Sequence, residues 1–529
     1  MLKQVREPGA PFAFVGRTDM VPEVDRNDRR SMILRQCYEQ TIVELISFDG
    51  DMHSRHFCLL NMPNALDAFE WVKRLPYPLL LDSASGSDQI ARYSFVMADP
   101  DIVIRSWGKE VDIVDRRSGT SVRKEGRALD FAQELLSSYL DNVPTKSAPP
   151  NTELPPFHGG IAGYIGYEYG GVLERLPKPH MNDLAIPDVV VGIYPWVIAW
   201  DHVLKKTWLI AQESVWDAAN DIVRNIQNRV NTDVDNSAVH SCSSFTTSDS
   251  IKPGSPVRHS SQVTREEYES AIEKIQEYIR AGDIFQANLS QRFSAPFSGD
   301  PWTLYRTLRT LNPAPFAAYF DFGDAVIVSA SPERFLHLSP SGRVETRPIK
   351  GTRPRGKTVE EDRQNSTALL HSEKDAAEHV MIVDVLRNDI SRVCEYGSVQ
   401  VPALKVLESH ATVHHLVSTI TGQLRSNTTA IDLIHACFPG GSITGAPKVR
   451  AMEIIAELEP TARNVYCGSI GYVSTTGAMD SSIVIRTFTI KDGTAYFSAG
   501  GGIVADSVPS DEFQETLDKA KALINAISA

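Results

Sequence analysis

The 529-residue chain contains no apolar run approaching the roughly 18 to 20 residues that cross a bilayer. Its opening residues mix Pro, Asp, Glu and Arg and hold no apolar core of the kind a secretory signal requires. Both absences lead to the expectation of a cytoplasmic protein that makes no membrane contact. Cysteine is scarce: Cys37, Cys58, Cys242, Cys394, Cys437 and Cys467, none in Cys-x-x-Cys spacing. That removes the zinc and redox signatures, and the six are too sparse for a disulfide framework in a chain this long. None sits in the Gly-x-Cys-x-Gly setting of a glutaminase nucleophile. Positive charge is also short. The formal net charge of −13 argues against non-specific binding to nucleic acid or to an anionic membrane. A small anionic substrate stays open, provided cations gather locally.

Apolar content is ordinary, so a sizeable core is expected. Residues 1–50 are polar, weakly periodic and broken by Pro and Gly, and read as an extension. Residues 51–230 read as mixed α/β: 78–83 as a short buried strand, 157–171 as a close-packed strand pair rich in Gly and Tyr, 188–200 and 207–211 as further strands. Residues 231–262, rich in Ser, Thr, Asn, Asp and Pro, read as a linker and main domain boundary, or else as a long surface loop. A second domain is expected over 263–529. It starts at a capping box, Thr264-Arg265-Glu266-Glu267, continues with one helical face of Ala271, Ile272, Ile275 and Ile279, and stops at Gly282. Residues 283–293 then alternate, with Phe285, Ala287 and Leu289 opposite Gln286, Asn288 and Ser290, which marks a strand with one polar face. Strands are expected at 326–330, 344–348, 466–473, 482–490 and 495–499, and helices at 374–389 and 510–527.

Several polar clusters stand where a core would take apolar residues. Ser331-Pro332-Glu333-Arg334-Phe335 follows a hydrophobic strand, and Glu333 on its own reads equally well as a surface carboxylate. Between 346 and 356, Arg347, Lys350, Arg353 and Arg355 are punctuated by Pro and Gly, which favours a fixed basic loop that cradles an anion over a solvated one. Glu378, Asp384 and Asp389 share a predicted helix; Glu512 and Glu515 share a face of the last one, with Lys519 a turn further on. Helix carboxylates usually face solvent, yet carboxylates from two helices also suit Mg²⁺, which takes one or two of them plus water and substrate oxygens. The glycine-rich turns at 439–448 and 499–504 match neither a phosphate-binding loop nor a dinucleotide fingerprint, but exposed N–H groups there suit a carboxylate. Arg486, inside an apolar run, needs a partner: a structural acid or the carboxylate of a ligand.

Six segments in order, Gly282-Asp283-Ile284-Phe285-Gln286, Ser331-Pro332-Glu333-Arg334, 348–356, Met381-Ile382-Val383-Asp384-Val385-Leu386-Arg387-Asn388-Asp389, 439–448, and the last glycine-rich turn with Glu512 and Glu515, resemble the chorismate-utilising family. The resemblance is strong over 264–526, weaker over 55–215 and absent over 1–50. It implies an α+β fold with a large two-layered, β-sandwich-like core and surrounding helices, and a chorismate-binding catalytic domain at 263–529. By the same resemblance Glu378 and Glu515 bind Mg²⁺ with Glu512 close by, and the metal holds the ring carboxylate of chorismate. Arg486 and the N–H groups of Gly500, Gly501 and Gly502 take the other carboxylate, with Tyr466 near it. Gly351 and Thr352 contact the ring side, and His415 lies beside the ring. Glu333 is the implied general acid for the departing 4-hydroxyl, since hydroxide leaves poorly without a proton.

Two positions choose within the family. Members that use water resemble Lys at the position of Gln286; Gln cannot abstract a proton, which favours ammonia. Anthranilate-forming members resemble Pro-Ile-Ala-Gly-Thr where this chain has Pro348-Ile349-Lys350-Gly351-Thr352, the pattern of the aminodeoxychorismate-forming members. The implied activity is a transaminase-class conversion of chorismate and ammonia to 4-amino-4-deoxychorismate, on the route to 4-aminobenzoate and folate. Lys350, its pKa lowered beside Arg347, Arg353 and Mg²⁺, is the expected nucleophile. Ammonia is expected from a separate glutamine amidotransferase subunit. The alternatives are anthranilate formation and a non-catalytic chorismate-binding paralogue. Finally, Leu81-Asp82-Ser83 and Asn312-Pro313-Ala314-Pro315-Phe316 resemble the family's tryptophan pocket, with Ser83, Pro315 and Phe316 as its candidate lining. Asp82 and Phe316 depart from the commonest patterns, so bound tryptophan and ordinary packing both stay open there.

Overall fold

The structure is a computed structural model that describes residues 55–62, 64–85, 90–141, 153–237, 258–409 and 413–529. The expected extension at 1–50, and residues 238–257 of the expected linker, lie outside the described residues.

Strands rich in Val, Ile, Phe and Tyr assemble into two 12-stranded antiparallel sheets. The first runs Arg55–Leu60, Lys206–Gln212, Trp196–Asp201, Tyr93–Met97, Leu79–Asp82, Phe316–Asp321, Val326–Ser331, Thr487–Lys491, Thr494–Ile503, Gln286–Pro296 and Ser260–Ser261, with Gly445–Ala446 also paired to Gln286–Pro296. The second runs Ile349–Pro354, Val413–Gln423, Arg343–Arg347, Arg334–Leu338, Met479–Ile483, Ser469–Ser474, Gly160–Ile165, Val189–Tyr194, Ile102–Trp107, Glu110–Asp115 and Thr120–Glu125, with Gln400–Ser409 on the far side of Val413–Gln423. Each sheet takes strands from both sides of residues 231–262.

Alternation along the strands gives each sheet two apolar faces. The facing sides share one core that includes Phe95, Tyr164, Tyr194, Phe320, Ile470 and Tyr472. The opposite face of the first sheet is covered by helices Ala65–Val72, Pro301–Leu311 and Pro509–Ile527, and that of the second by Ala128–Asp141, Glu373–Ser391 and Ala430–Cys437. This is the α+β, two-layered core with surrounding helices that the resemblance implied. Among the described residues no helix is long and apolar enough to cross a membrane.

The chain crosses directly from one sheet to the other at 98–101, at Pro195, at 332–333 and at 484–486. Two expectations change here. The run 188–200 is two strands in different sheets, parted at Pro195, which has no N–H to offer a ladder. The run 482–490 is likewise divided, at 484–486, where Arg486 takes a left-handed φ of 54°. Residues 157–171 do not form a strand pair. Gly160–Ile165 is a single strand between Val189–Tyr194 and Ser469–Ser474, so close that a Cβ at Gly163 would overlap the Val190 carbonyl.

Candidate active site

Two of the crossings run side by side. Ser329 pairs with Thr487 and Arg334 with Ser482, and the Ile483 N–H donates to the Glu333 carbonyl at 3.0 Å. The Ser331 hydroxyl donates to the Ile483 carbonyl at 2.5 Å. Glu333 and Arg486 thus stand on one seam between the sheets. Glu333 is only 4% exposed. Burial pushes its carboxyl up to about 7, against the opposing pull of the Ser442 side chain, the Lys350 charge and a backbone hydrogen bond at Ile349. A carboxyl that titrates near neutral pH, and so is still partly protonated there, suits general acid work.

Lys350 arrives from the second sheet. It pairs with Leu416 while Thr352 pairs with His415, and the register shift between them is absorbed at Gly351, whose φ is 75°. Desolvation lowers the Lys350 pKa, helped by the charge of Lys519 and opposed by Glu378, Glu333 and Glu515. The lowering therefore has a different cause from the expected one. Arg347 is bonded to Glu408 and to Thr419, and Arg353 is paired with Asp375 at 2.9 Å. Arg355 is held by Asp362 at 2.7 Å. The basic segment is accordingly built on two strands, Arg343–Arg347 and Ile349–Pro354, with Arg347, Arg353 and Arg355 each neutralised by a carboxylate, and is not an open anion cradle.

Gln286 and Lys350 converge on Gly502. A Cβ there would overlap the Gln286 side-chain nitrogen and lie 3.3 Å from Lys350 Nζ. Gln286 is 1% exposed, and its Oε1 is buried with no hydrogen-bond partner among the described residues. The glycines expected in a turn are instead part of the strand Thr494–Ile503: Gly500, Gly501 and Gly502 pair with Ser290, Leu289 and Asn288. Pairing with Thr487–Lys491 on the other side ends at Phe497, so that edge runs unpaired along the glycines. Because the Gly502 backbone is not left-handed but a Cβ there would displace the buried Gln286 side chain, Gly502→Ala is expected to lower thermal stability modestly while lowering turnover about 10²-fold, the scale of a small misplacement of reacting groups. Unchanged turnover would show that this convergence does not matter to the reaction.

On the far side of the glycines, Glu512 Oε2 lies 3.2 Å and Glu515 Oε1 3.5 Å from the position of a Gly501 Cβ. Both come from the helix Pro509–Ile527. Glu512 Oε1 accepts from the Ser507 hydroxyl at 2.7 Å, and Glu515 pairs with Lys519 at 2.6 Å. Glu378, on the helix Glu373–Ser391, is close enough to Lys350 to raise its pKa. Among the described residues no group of three His, Cys, Asp or Glu side chains stands ready to hold a metal ion. The donor chemistry nonetheless fits Mg²⁺, which needs only one or two carboxylates alongside water and substrate oxygens.

Arg486 completes the seam. The residue is half-buried, its guanidinium has no ion-pair partner among the described residues, and desolvation lowers its pKa, with Tyr466 and Glu515 opposing. Of the two partners open to it from sequence, no structural acid is paired with it, and its fork stays available to a carboxylate. His415 Nδ1 lies 2.9 Å from Thr352 Oγ1. Two side chains here were given no role by the sequence reading. Ser442, in the glycine-rich turn, bonds to Glu333. Lys519 Nζ donates to the Gly500 carbonyl at 2.8 Å; its only sequence signal was its place four residues after Glu515.

Ser83, Pro315 and Phe316 lie apart from these residues, on a cavity of about 440 Å³. The Ser83 hydroxyl donates to the Tyr93 carbonyl at 2.7 Å. Asp82 also lines the cavity, and accepts from Tyr305 at 2.8 Å and from Arg309 at 2.6 Å.

The family model described as chorismate binding enzyme matches residues 79–525. The chain belongs to that family of chorismate-binding enzymes. Aminodeoxychorismate synthase component 1 of Escherichia coli (strain K12) is 42% identical over 460 residues, 87% of this chain and 95% of its own. Anthranilate synthase component 1 of Acetivibrio thermocellus is 37% identical over 475 residues, 88% of this chain and 93% of its own. The crystal structure of anthranilate synthase component I from Streptococcus pneumoniae TIGR4 superposes with a TM-score of 0.67 at 34% identity, covering 82% of this chain and 92% of that one.

Proposed function

We propose that this chain converts chorismate and ammonia to 4-amino-4-deoxychorismate, for 4-aminobenzoate and folate synthesis. The observation that carries the reading is Lys350 beside Glu333, with pKa shifts of opposite use: the acid stays partly protonated at neutral pH and the amine is pushed toward its free form. Titratable groups driven to complementary roles by their surroundings mark an acid and a nucleophile. Relatives named aminodeoxychorismate synthase component 1 support the same reading.

In the proposed reaction the Lys350 amine bonds to C2 of chorismate as the ring double bonds shift and the C4–O bond breaks. The Glu333 proton departs with the 4-hydroxyl as water, and Glu333 takes up the proton that Lys350 sheds. Ammonia then bonds to C4, the double bonds shift back and the C2–N bond breaks. Glu333 returns its proton to the leaving amine and receives the one lost by the new ammonium, so chorismate and ammonia give aminodeoxychorismate and water. Gln286 cannot take a proton from water; its unpartnered Oε1 accepts a hydrogen bond from the incoming ammonia. Arg486, Tyr466 and the strand edge at Gly500, Gly501 and Gly502 orient one substrate carboxylate, with Gly351, Thr352 and His415 at the ring. Glu378, Glu512 and Glu515 would hold Mg²⁺, which supplies positive charge for the ring carboxylate when bound.

The relatives' designation as component 1 supports a second component. We assign it as a glutamine amidotransferase that supplies ammonia, and assign the 440 Å³ cavity at Ser83, Pro315 and Phe316 to tryptophan. Incubation of the chain with chorismate, Mg²⁺ and ammonium, followed by chromatography, is expected to accumulate aminodeoxychorismate, with 4-aminobenzoate only after a lyase is added. Anthranilate formed directly would overturn the reading. Turnover by the purified chain on glutamine alone would remove the partner, and native mass spectra free of tryptophan would remove the cavity assignment.

A further inference from the structure

The turn that carries Tyr466 has two non-glycine residues in the left-handed region, Asn464 at φ 52° and Cys467 at φ 63°. Such a backbone persists only where its surroundings hold it. Much of the hold comes from Glu168, in the helical turn Tyr167–Tyr169, nearly 300 residues earlier. Glu168 Oε1 accepts the Arg463 N–H and Oε2 the Asn464 N–H, each at 2.8 Å. The adjoining Tyr167 N–H donates to the Asn464 carbonyl at 2.8 Å, and the Arg463 guanidinium lies 4.6 Å over the Tyr167 ring.

What this turn touches is the substrate end of the site. The Tyr466 N–H donates to the Arg463 carbonyl at 3.0 Å, and Tyr466 is within electrostatic reach of Arg486. The Cys467 N–H donates to the Val484 carbonyl at 2.8 Å and the Val484 N–H to the Gly468 carbonyl at 2.9 Å, so the turn also braces the crossing on which Arg486 stands. We infer that Glu168 is a positioning residue for the substrate carboxylate, acting through the backbone of residues 463–467 on Tyr466 and Arg486. The inference rests on the proposed roles of those two residues. It also gives the 51–230 region a share in substrate binding, although its own candidate residues lie elsewhere.

The test uses the full chain with Glu168→Gln, in wild-type and Tyr466→Phe backgrounds. Gln keeps the size but presents one acceptor and an NH₂ group to two N–H donors. Chorismate consumption with ammonium gives KM and kcat whatever the product, and a binding titration gives affinity directly. At about pH 8, above the value of about 7 to which burial pushes the Glu168 carboxyl, losing one charge-assisted hydrogen bond is expected to raise KM about tenfold, with kcat changed less than about threefold. In the Tyr466→Phe background the same substitution is expected to add less than about twofold, because coupled residues are not additive. Glu168→Asp, which keeps both acceptors, is expected to fall between wild type and Gln, and provides the reading if the Gln variant does not fold. An unchanged KM, or an equal rise in both backgrounds, would overturn the inference. A wild-type chain that fails to bind chorismate would instead sink the proposed function.

Discussion

Lys350→Ala is expected to lower aminodeoxychorismate formation by roughly 10³-fold or more, the scale of losing an activated nucleophile, while chorismate still binds. The amine sits on a strand whose irregularity at Gly351 sets it beside Glu333, Gln286 and Gly502. Its pKa is lowered mainly by desolvation, so a larger share is free amine at neutral pH than an exposed lysine would offer. A purely electrostatic Lys350 would predict something different for Lys350→Arg. Arginine restores the charge but stays protonated and cannot attack carbon. Covalent catalysis therefore leaves Arg as inactive as Ala, whereas an electrostatic role has Arg recover activity. Intact-mass analysis of enzyme quenched with chorismate but without ammonium is expected to show an adduct on Lys350. Undiminished ammonia-dependent turnover by Lys350→Ala would end the covalent route.

Local chemistry was legible in the sequence wherever one short segment decides the outcome. The capping box at Thr264 and Glu267 and the left-handed Gly282 bound the helix Arg265–Ala281 where the sequence placed it, because N–H satisfaction and positive φ are settled within a few residues. The last helix, Pro509–Ile527, is legible for another local reason: Pro509 stands at its first turn, where a proline's missing N–H costs nothing. What the sequence hid depends on distant partners. An apolar run such as 482–490 does not record that its two halves enter different sheets, so the seam holding Arg486 had no signal. Arg347, Arg353 and Arg355 looked like an anion cradle because Glu408, Asp375 and Asp362 cannot be matched to them by spacing. Gly500, Gly501 and Gly502 looked like a turn because glycine also serves where side chains of other elements crowd a strand, here Gln286 and Glu512. Glu168 carried no signal at all: its two partners are backbone groups.

Glu333→Gln is the other large effect, and its pH dependence separates an acid from a mere contact. Where the chain leaves the first sheet at 332–333, Glu333 drops out of strand alternation and into the seam, 4% exposed and beside Lys350. Gln keeps the shape and a hydrogen bond but brings no proton, so turnover is expected to fall about 10² to 10⁴-fold, the usual contribution of a positioned acid. With the wild-type carboxyl pushed up to about 7, activity is expected to decline as pH rises through that value, and this limb is expected to vanish in Glu333→Gln. Stability gives an independent check with its own sign. A carboxyl whose folded pKa is raised from 4.5 to about 7 keeps its full contribution to stability below about 4.5, and loses it as pH rises through about 7, because the folded state resists ionisation. Gln never ionises, so the variant is expected to unfold at a higher temperature than wild type at pH 8, with the gap closing toward pH 4.5. Near-normal turnover, or an alkaline limb that survives in the variant, would remove Glu333 as the acid. A loss of activity accompanied by gained stability is the signature of a group buried for chemistry and not for packing.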